Sequence, residues 1–146
     1  MSSPFSRFCV GALCLLGLAG CGGGSLVKLQ GRLTLDGQAL QWNEPTALEV
    51  SLVAESSDPM KPGKSYAAEV GPDGTFTVQG SDGRGIPPGT YQFAVTWTGY
   101  GPGTKPPAWL KGLDKPATST LKYEVTADAN QKIVIDLTKK TVRRDT

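Results

Sequence analysis

Three cysteines, no histidine and a scatter of carboxylates bound what this chain of 146 residues can do chemically. Without histidine, the Ser-His-Asp and Cys-His nucleophile systems, His-bearing zinc sites and the commonest general base are all excluded. Cys9, Cys14 and Cys21 lie within the first 21 residues, so the rest of the chain has no thiol and no disulfide. A facing pair of carboxylates could still cleave a glycosidic bond. The acids here fall singly in turns and strands, however, and a protein without catalysis is expected. Asp58, Asp73 and Asp82 lie in loops that lack the alternating Asp-x-Asp-x-Asp-Gly of a calcium loop, so they read as turn formers and no metal is expected. Gly22 to Gly24 lead into no strand-to-helix transition and do not make a phosphate loop. Lys28 and Lys122, with Asn43 and Asn130, supply the groups for an internal Lys–Asn amide bond, but no accompanying acid motif is present.

What remains is recognition. The connection from Gly99 to Pro116 carries Tyr100, Trp109, Leu110 and Leu113 among prolines and three lysines, Lys105, Lys111 and Lys115. Irregular connections longer than about 12 to 15 residues are uncommon in compact domains and are often functional. Flat rings in a stiff loop can stack on sugars or anchor a protein partner, which makes Tyr100 and Trp109 the candidate ligand contacts. The competing expectation is that Trp109 folds back to cap one open end of the domain. Trp97 continues the apolar face of its strand and is expected in the core, whereas Trp42 fits either role.

The elements that must position these residues are strands. No helical periodicity persists after residue 25, while period-two alternation recurs between Gly, Pro and Asp clusters. Val27, Leu29, Leu33 and Leu35 mark a first strand, with a bend expected at Gly31 and a tight turn at Asp36-Gly37. Leu48, Val50 and Leu52 mark a second. Tyr66 to Val70 and Thr75 to Gln79 are expected to form a hairpin about Gly71-Pro72-Asp73-Gly74. The clearest strand, Tyr91 to Trp97, places Tyr91, Phe93, Val95 and Trp97 on one face. Leu121, Tyr123 and Val125 mark another strand, and Ile133, Ile135 and Leu137 the last. Seven strands in about 120 residues predict an all-β chain, a seven-stranded antiparallel β-sandwich, with a small barrel as the alternative.

The front end differs in kind. Arg7 precedes an apolar run from Phe8 to Ala19, about a dozen residues long. That is short of the roughly 20 needed to span a bilayer and fits the core of a secretory signal. Leu18-Ala19-Gly20-Cys21 resembles the lipobox of bacterial lipoproteins. The resemblance implies cleavage between Gly20 and Cys21 and a diacylglycerol on the Cys21 sulfur, the only prosthetic group expected. Gly22-Gly23-Gly24-Ser25 then reads as a flexible tether. Residues 1–20 are thus assigned to the signal peptide, 21–25 to the lipidated cysteine and tether, 26–138 to the sandwich and 139–146 to a basic C-terminal tail. That tail, with Lys139, Lys140, Arg143 and Arg144, is expected to be a solvated, frayed terminus, with anionic lipid or a polyanion as its other use. The formal charge is +2 for the whole chain. This near balance gives no reason to invoke nucleic acid.

Four stretches, LTLDGQAL (33–40), GPDGTFTV (71–78), GIPPGTYQFAV (85–95) and QKIVIDL (131–137), together resemble carboxypeptidase-regulatory-like, transthyretin-like domains over residues 27 to 138. The resemblance implies a prealbumin-like sandwich of the kind carried by small envelope lipoproteins of bacteria. Some transthyretin-like proteins are hydroxyisourate hydrolases that need histidines, which this chain lacks. The expected function is a non-catalytic, membrane-anchored structural or protein-interaction module of the cell envelope. A carbohydrate-binding module built on Tyr100 and Trp109 is the alternative. Gly22, in the place where Asp retains some lipoproteins in the inner membrane, favours the outer membrane.

Overall fold

Alternation sorts the chain into two sheets whose apolar faces meet. The structure is a computed structural model that describes residues 24–43, 46–99 and 102–146. The assignments to Gly20, Cys21 and Tyr100 therefore lie outside the described residues. The strands are β1 (Lys28–Leu35), β2 (Gln38–Ala39), β3 (Ala47–Ala54), β4 (Ser65–Glu69), β5 (Thr75–Val78), β6 (Gly89–Thr98), β7 (Lys122–Val125), β8 (Asn130–Asp136) and β9 (Thr141–Arg144). One sheet has the order β2-β1-β8-β9, with β5 also paired to β1, and the other the order β4-β3-β6-β7. Between them lie Leu29, Leu33, Phe76, Ile133 and Ile135 from the first sheet and Leu48, Val50, Leu52, Phe93 and Val95 from the second, all buried. Each such side chain contributes roughly 1.5–3 kcal/mol on leaving water. The domain is all-β, and the seven expected strands are all present.

Five expectations need correction. The described residues form nine strands, not seven, because β2 and β9 escaped the alternation test. Two residues are too few to show a period. In β9 a strand of basic residues carries only one half-buried apolar side chain, Val142. The segment expected to be a frayed basic tail is thus an edge strand, paired with β8 from Ile133↔Arg144 to Asp136↔Thr141. Nor is the pairing wholly antiparallel: β1 and β8 run parallel in register from Lys28↔Asn130 to Thr34↔Asp136. Residues 71–74 do not close a hairpin. β4 pairs with β3 and β5 with β1, so this turn carries the chain from one sheet to the other. Finally, β1 passes unbroken through Gly31, where the ring of Phe76 occupies the space a side chain would fill.

The tight turn is as expected. Asp36 (φ 52°) and Gly37 (φ 79°) both take the positive φ of a type I′ hairpin turn. The Asp36 N–H donates to Thr138 Oγ1 at 2.8 Å, tying this turn to the end of β8.

Strand directions define two ends. At the first, residues 24–27 lead into β1, Val27 pairs with Ile86, and the Ser25 hydroxyl donates to the Ala127 carbonyl at 3.3 Å. The 55–64, 79–88 and 126–129 loops share this end. The turns at 36–37, 70–74 and 137–140 and the long connection after β6 share the other. The ten residues of β6 separate the two ends by about 30 Å.

Tyr91 sits where the first end meets the core. Its hydroxyl donates to the Pro87 carbonyl at 2.7 Å, and its ring meets Tyr66 edge-on at 6.1 Å. Burial first, and the neighbouring Tyr66 second, push its phenol up from 10.0 to about 12. The folded state therefore holds this proton more tightly than the unfolded chain does. The stabilisation is complete below pH 10 and is lost as the pH rises from 10 towards 12. Across that window the wild type is expected to lose about 1–2 kcal/mol more than Tyr91→Phe in denaturant titrations, since water at the part-buried hydroxyl reduces the effect. The variant should cost about 1 kcal/mol at neutral pH through the missing hydrogen bond. Parallel pH profiles for the two proteins would refute the assignment.

Candidate functional site

The second end gathers all three tryptophans. The chain leaves β2 through Leu40, whose N–H donates to the Leu33 carbonyl at 2.9 Å, and reaches Trp42, whose N–H donates to the Pro72 carbonyl at 2.8 Å. The Trp42 indole Nε1 donates to the Thr46 carbonyl at 2.9 Å, and Trp97 Nε1 donates to Thr46 Oγ1 at 3.1 Å. One threonine therefore accepts from both indoles, so neither ring is half-buried with an unpaired donor.

Trp109 comes from the long connection. β7 pairs with β6 only over Gly89 to Gln92, which leaves the upper edge of β6 open. The connection fills it. The Phe93 N–H donates to the Leu121 carbonyl at 2.7 Å and the Val95 N–H to the Leu113 carbonyl at 2.8 Å. The Gln92 side-chain amide donates to the carbonyls of Ser119 and Leu121 at 2.5 and 3.1 Å. Leu110 and Leu113 are buried, and a single 3-10 turn, Ala108–Leu110, swings Trp109 over the sandwich end. There it meets Trp42 edge to face, with ring centroids 6.1 Å apart and planes at 85°. Trp42, Trp97 and Trp109 are all partly buried against the core. A further tie comes from Lys140, whose ammonium donates to the Lys111 carbonyl at 2.9 Å.

Of the candidate ligand contacts, the structure places Trp109 inward against Trp42, in the capping arrangement. Outside this pair the connection presents a shallow groove of about 350 Å³ walled by Pro106, Pro107, Ala108, Leu110 and Lys111. Lys111 is exposed on its wall, and Lys105 and Lys115 are exposed elsewhere in the connection. Sequence reasoning missed the Trp42–Trp109 pairing and the part played by Thr46. No local pattern carries either, because the two rings are 67 positions apart in the chain.

The other candidate groups are dispersed. Asp73 accepts the Thr75 hydroxyl at 2.6 Å and the Thr75 N–H at 3.1 Å, and these bonds hold its carboxyl below the usual range. Asp82 accepts the Arg84 N–H at 3.1 Å and its Nε at 2.6 Å, with the same effect. Asp58 accepts the Met60 N–H at 2.9 Å. All three stabilise their own turns. Lys28 and Asn130 stand opposite each other on β1 and β8, and both are exposed to water. Lys122 pairs instead with Glu55.

The fold and this end define an all-β sandwich with an aromatic cap at one end. Comparison of the chain with known protein families, characterised proteins and solved structures finds no match.

Proposed function

We propose that this protein is a non-catalytic, lipid-anchored module of the bacterial cell envelope, with a transthyretin-like sandwich that contacts another envelope protein through its capped end. The polarity of the sandwich carries this reading. Residues 24–27 join the domain at one end, and the Trp42–Trp109 cap lies at the other, about 30 Å away. Cys21 is six residues before Val27, a reach of at most about 20 Å. An acyl group on Cys21 would hold the first end near the bilayer and direct the capped end away from it. The half-burial of Trp109 favours a rigid contact surface over the alternative, a sugar-stacking platform with Tyr100. The Gly22 position favours the outer membrane.

The test is to express the full chain with labelled palmitate in a bacterium that processes lipoproteins. Label on the wild type but not on Cys21→Ser, with labelled protein in the membrane fraction, is the expected result. Unlabelled wild type in the soluble fraction would remove the anchor from the proposal. A photoreactive residue placed at Lys105 in intact cells is expected to capture protein, and one at Arg84 is not. Capture from Arg84 alone would reverse the polarity.

A further inference from the structure

Among the described residues no layer covers the outward face of the five-stranded sheet, and beyond Lys28 and Asn130 its residues are ordered in three cross-strand rows. Thr77, Gln30 and Lys132 lie in one row, and Thr75, Arg32, Val134 and Arg143 in the next. Thr34, Asp136 and Thr141 form the third. Neighbouring rows are about 7 Å apart along the strands. Val134 points outward yet is only 1% exposed, between the residues that flank it in its row, Arg32 and Arg143. The other apolar side chain of these rows is the small, exposed Ala39, opposite Thr34 on β2. Arg32 stands between two open hollows of about 310 and 300 Å³. Gln30, Thr75, Thr77 and Lys132 line the first, and Thr34, Asp136, Lys139 and Arg143 the second.

Charge is uneven on this face. Five cations, Lys28, Arg32, Lys132, Lys139 and Arg143, face two acids, each with one oxygen engaged. Asp145 is bound by Arg32 at 2.9 Å, and Asp136 accepts the Lys139 N–H at 2.9 Å. Among the described residues no carboxylate pairs with the side chains of Lys132, Lys139 or Arg143. Five cations against two acids give this one face an excess of +3, more than the +2 of the whole chain. We propose that this face binds a linear carboxylate-bearing polysaccharide. A row of hydroxyls with guanidinium and ammonium groups suits carboxylates and sugar hydroxyls together, and the arginine fork grips a carboxylate by two bonds. A bilayer surface is disfavoured, since the exposed apolar side chain of these rows, Ala39, is too small to enter the acyl boundary. The proposal rests neither on Cys21 nor on the tryptophan cap, so it can stand or fall apart from the function proposed above.

The test is calorimetric titration of the full chain, in neutral detergent at low salt, with short oligogalacturonate. Binding that weakens with added salt, with no binding of neutral dextran, is expected. Lys132→Gln/Arg143→Gln should weaken it roughly tenfold or more. Lys105→Gln/Lys115→Gln, which removes the same charge from the long connection outside this face, should leave it unchanged, and thermal unfolding checks that both variants fold. Equal weakening by the two pairs would mean net charge alone and overturn the site. Binding to anionic phosphatidylglycerol vesicles but not to oligogalacturonate would overturn it in favour of a membrane face, and no binding to either would overturn it outright.

Discussion

Gly31→Ala is expected to destabilise the domain by about 3 kcal/mol or more, out of proportion to the one methyl group it adds. Gly31 lies mid-strand in β1 directly opposite Phe76 in β5, on the inward face shared with Leu29 and Leu33. A Cβ at this position would stand 2.1 Å from Phe76 Cζ and 2.5 and 2.7 Å from Cε1 and Cε2. The ring is 4% exposed and has packed neighbours on its other sides, so it must shift by more than an ångström in a close-packed interior. Phe76→Leu alone should cost about 1–2 kcal/mol for the volume it leaves. In the Gly31→Ala background the same change should recover stability, because the shorter side chain clears the methyl. The pair is therefore expected to be strongly non-additive in urea titrations. A Gly31→Ala protein within about 0.5 kcal/mol of wild type would place the ring elsewhere.

Trp109→Ala carries the second largest expected effect, about 2 kcal/mol. That is below the 3–5 kcal/mol of a fully buried tryptophan because this ring is only half-covered. Its removal takes a partly buried ring from the core and the edge-to-face partner from Trp42. Fluorescence from the remaining indoles should shift to longer wavelength as Trp42 meets water. A double-mutant cycle with Trp42→Ala isolates the ring pair. Its coupling is expected at about 0.5–1.5 kcal/mol, while additive losses would show that each ring packs only on the core. Trp109→Phe should retain much of the stability, since a flat ring remains at the end of the sandwich.

How far the residues alone reach can be judged from single elements. Most of β6 was legible: Tyr91, Phe93 and Val95 alternate with polar or small neighbours and are buried, while Trp97, expected in the core, is only partly buried against it. The Asp36-Gly37 turn was legible because it needs two adjacent residues that accept positive φ. The 71–74 turn was misread as a hairpin for an instructive reason. Its Asp73–Thr75 bonds specify a reversal of direction, and a reversal within one sheet uses the same chemistry as one between two sheets. β9 was hidden because an edge strand facing water needs no apolar period, only a neighbour with free backbone groups, and β8 supplies it.

The candidate sites divide along the same line. The Leu18-Ala19-Gly20-Cys21 motif is contiguous, so the sequence is sufficient to raise it. The seven strands with an apolar alternation, their face assignment and the absence of histidine chemistry are likewise local or compositional properties, and the sequence determined them by itself. The Trp42–Trp109 cap, the sharing of Thr46 by two indoles and the rows of cations around Arg32 each join residues distant along the chain. Only the tertiary structure decided those. The parallel β1–β8 pair brings Lys28 beside Asn130, and its register is set by which inward faces complete one core. Burial is a collective property of both sheets, and no window of sequence contains it.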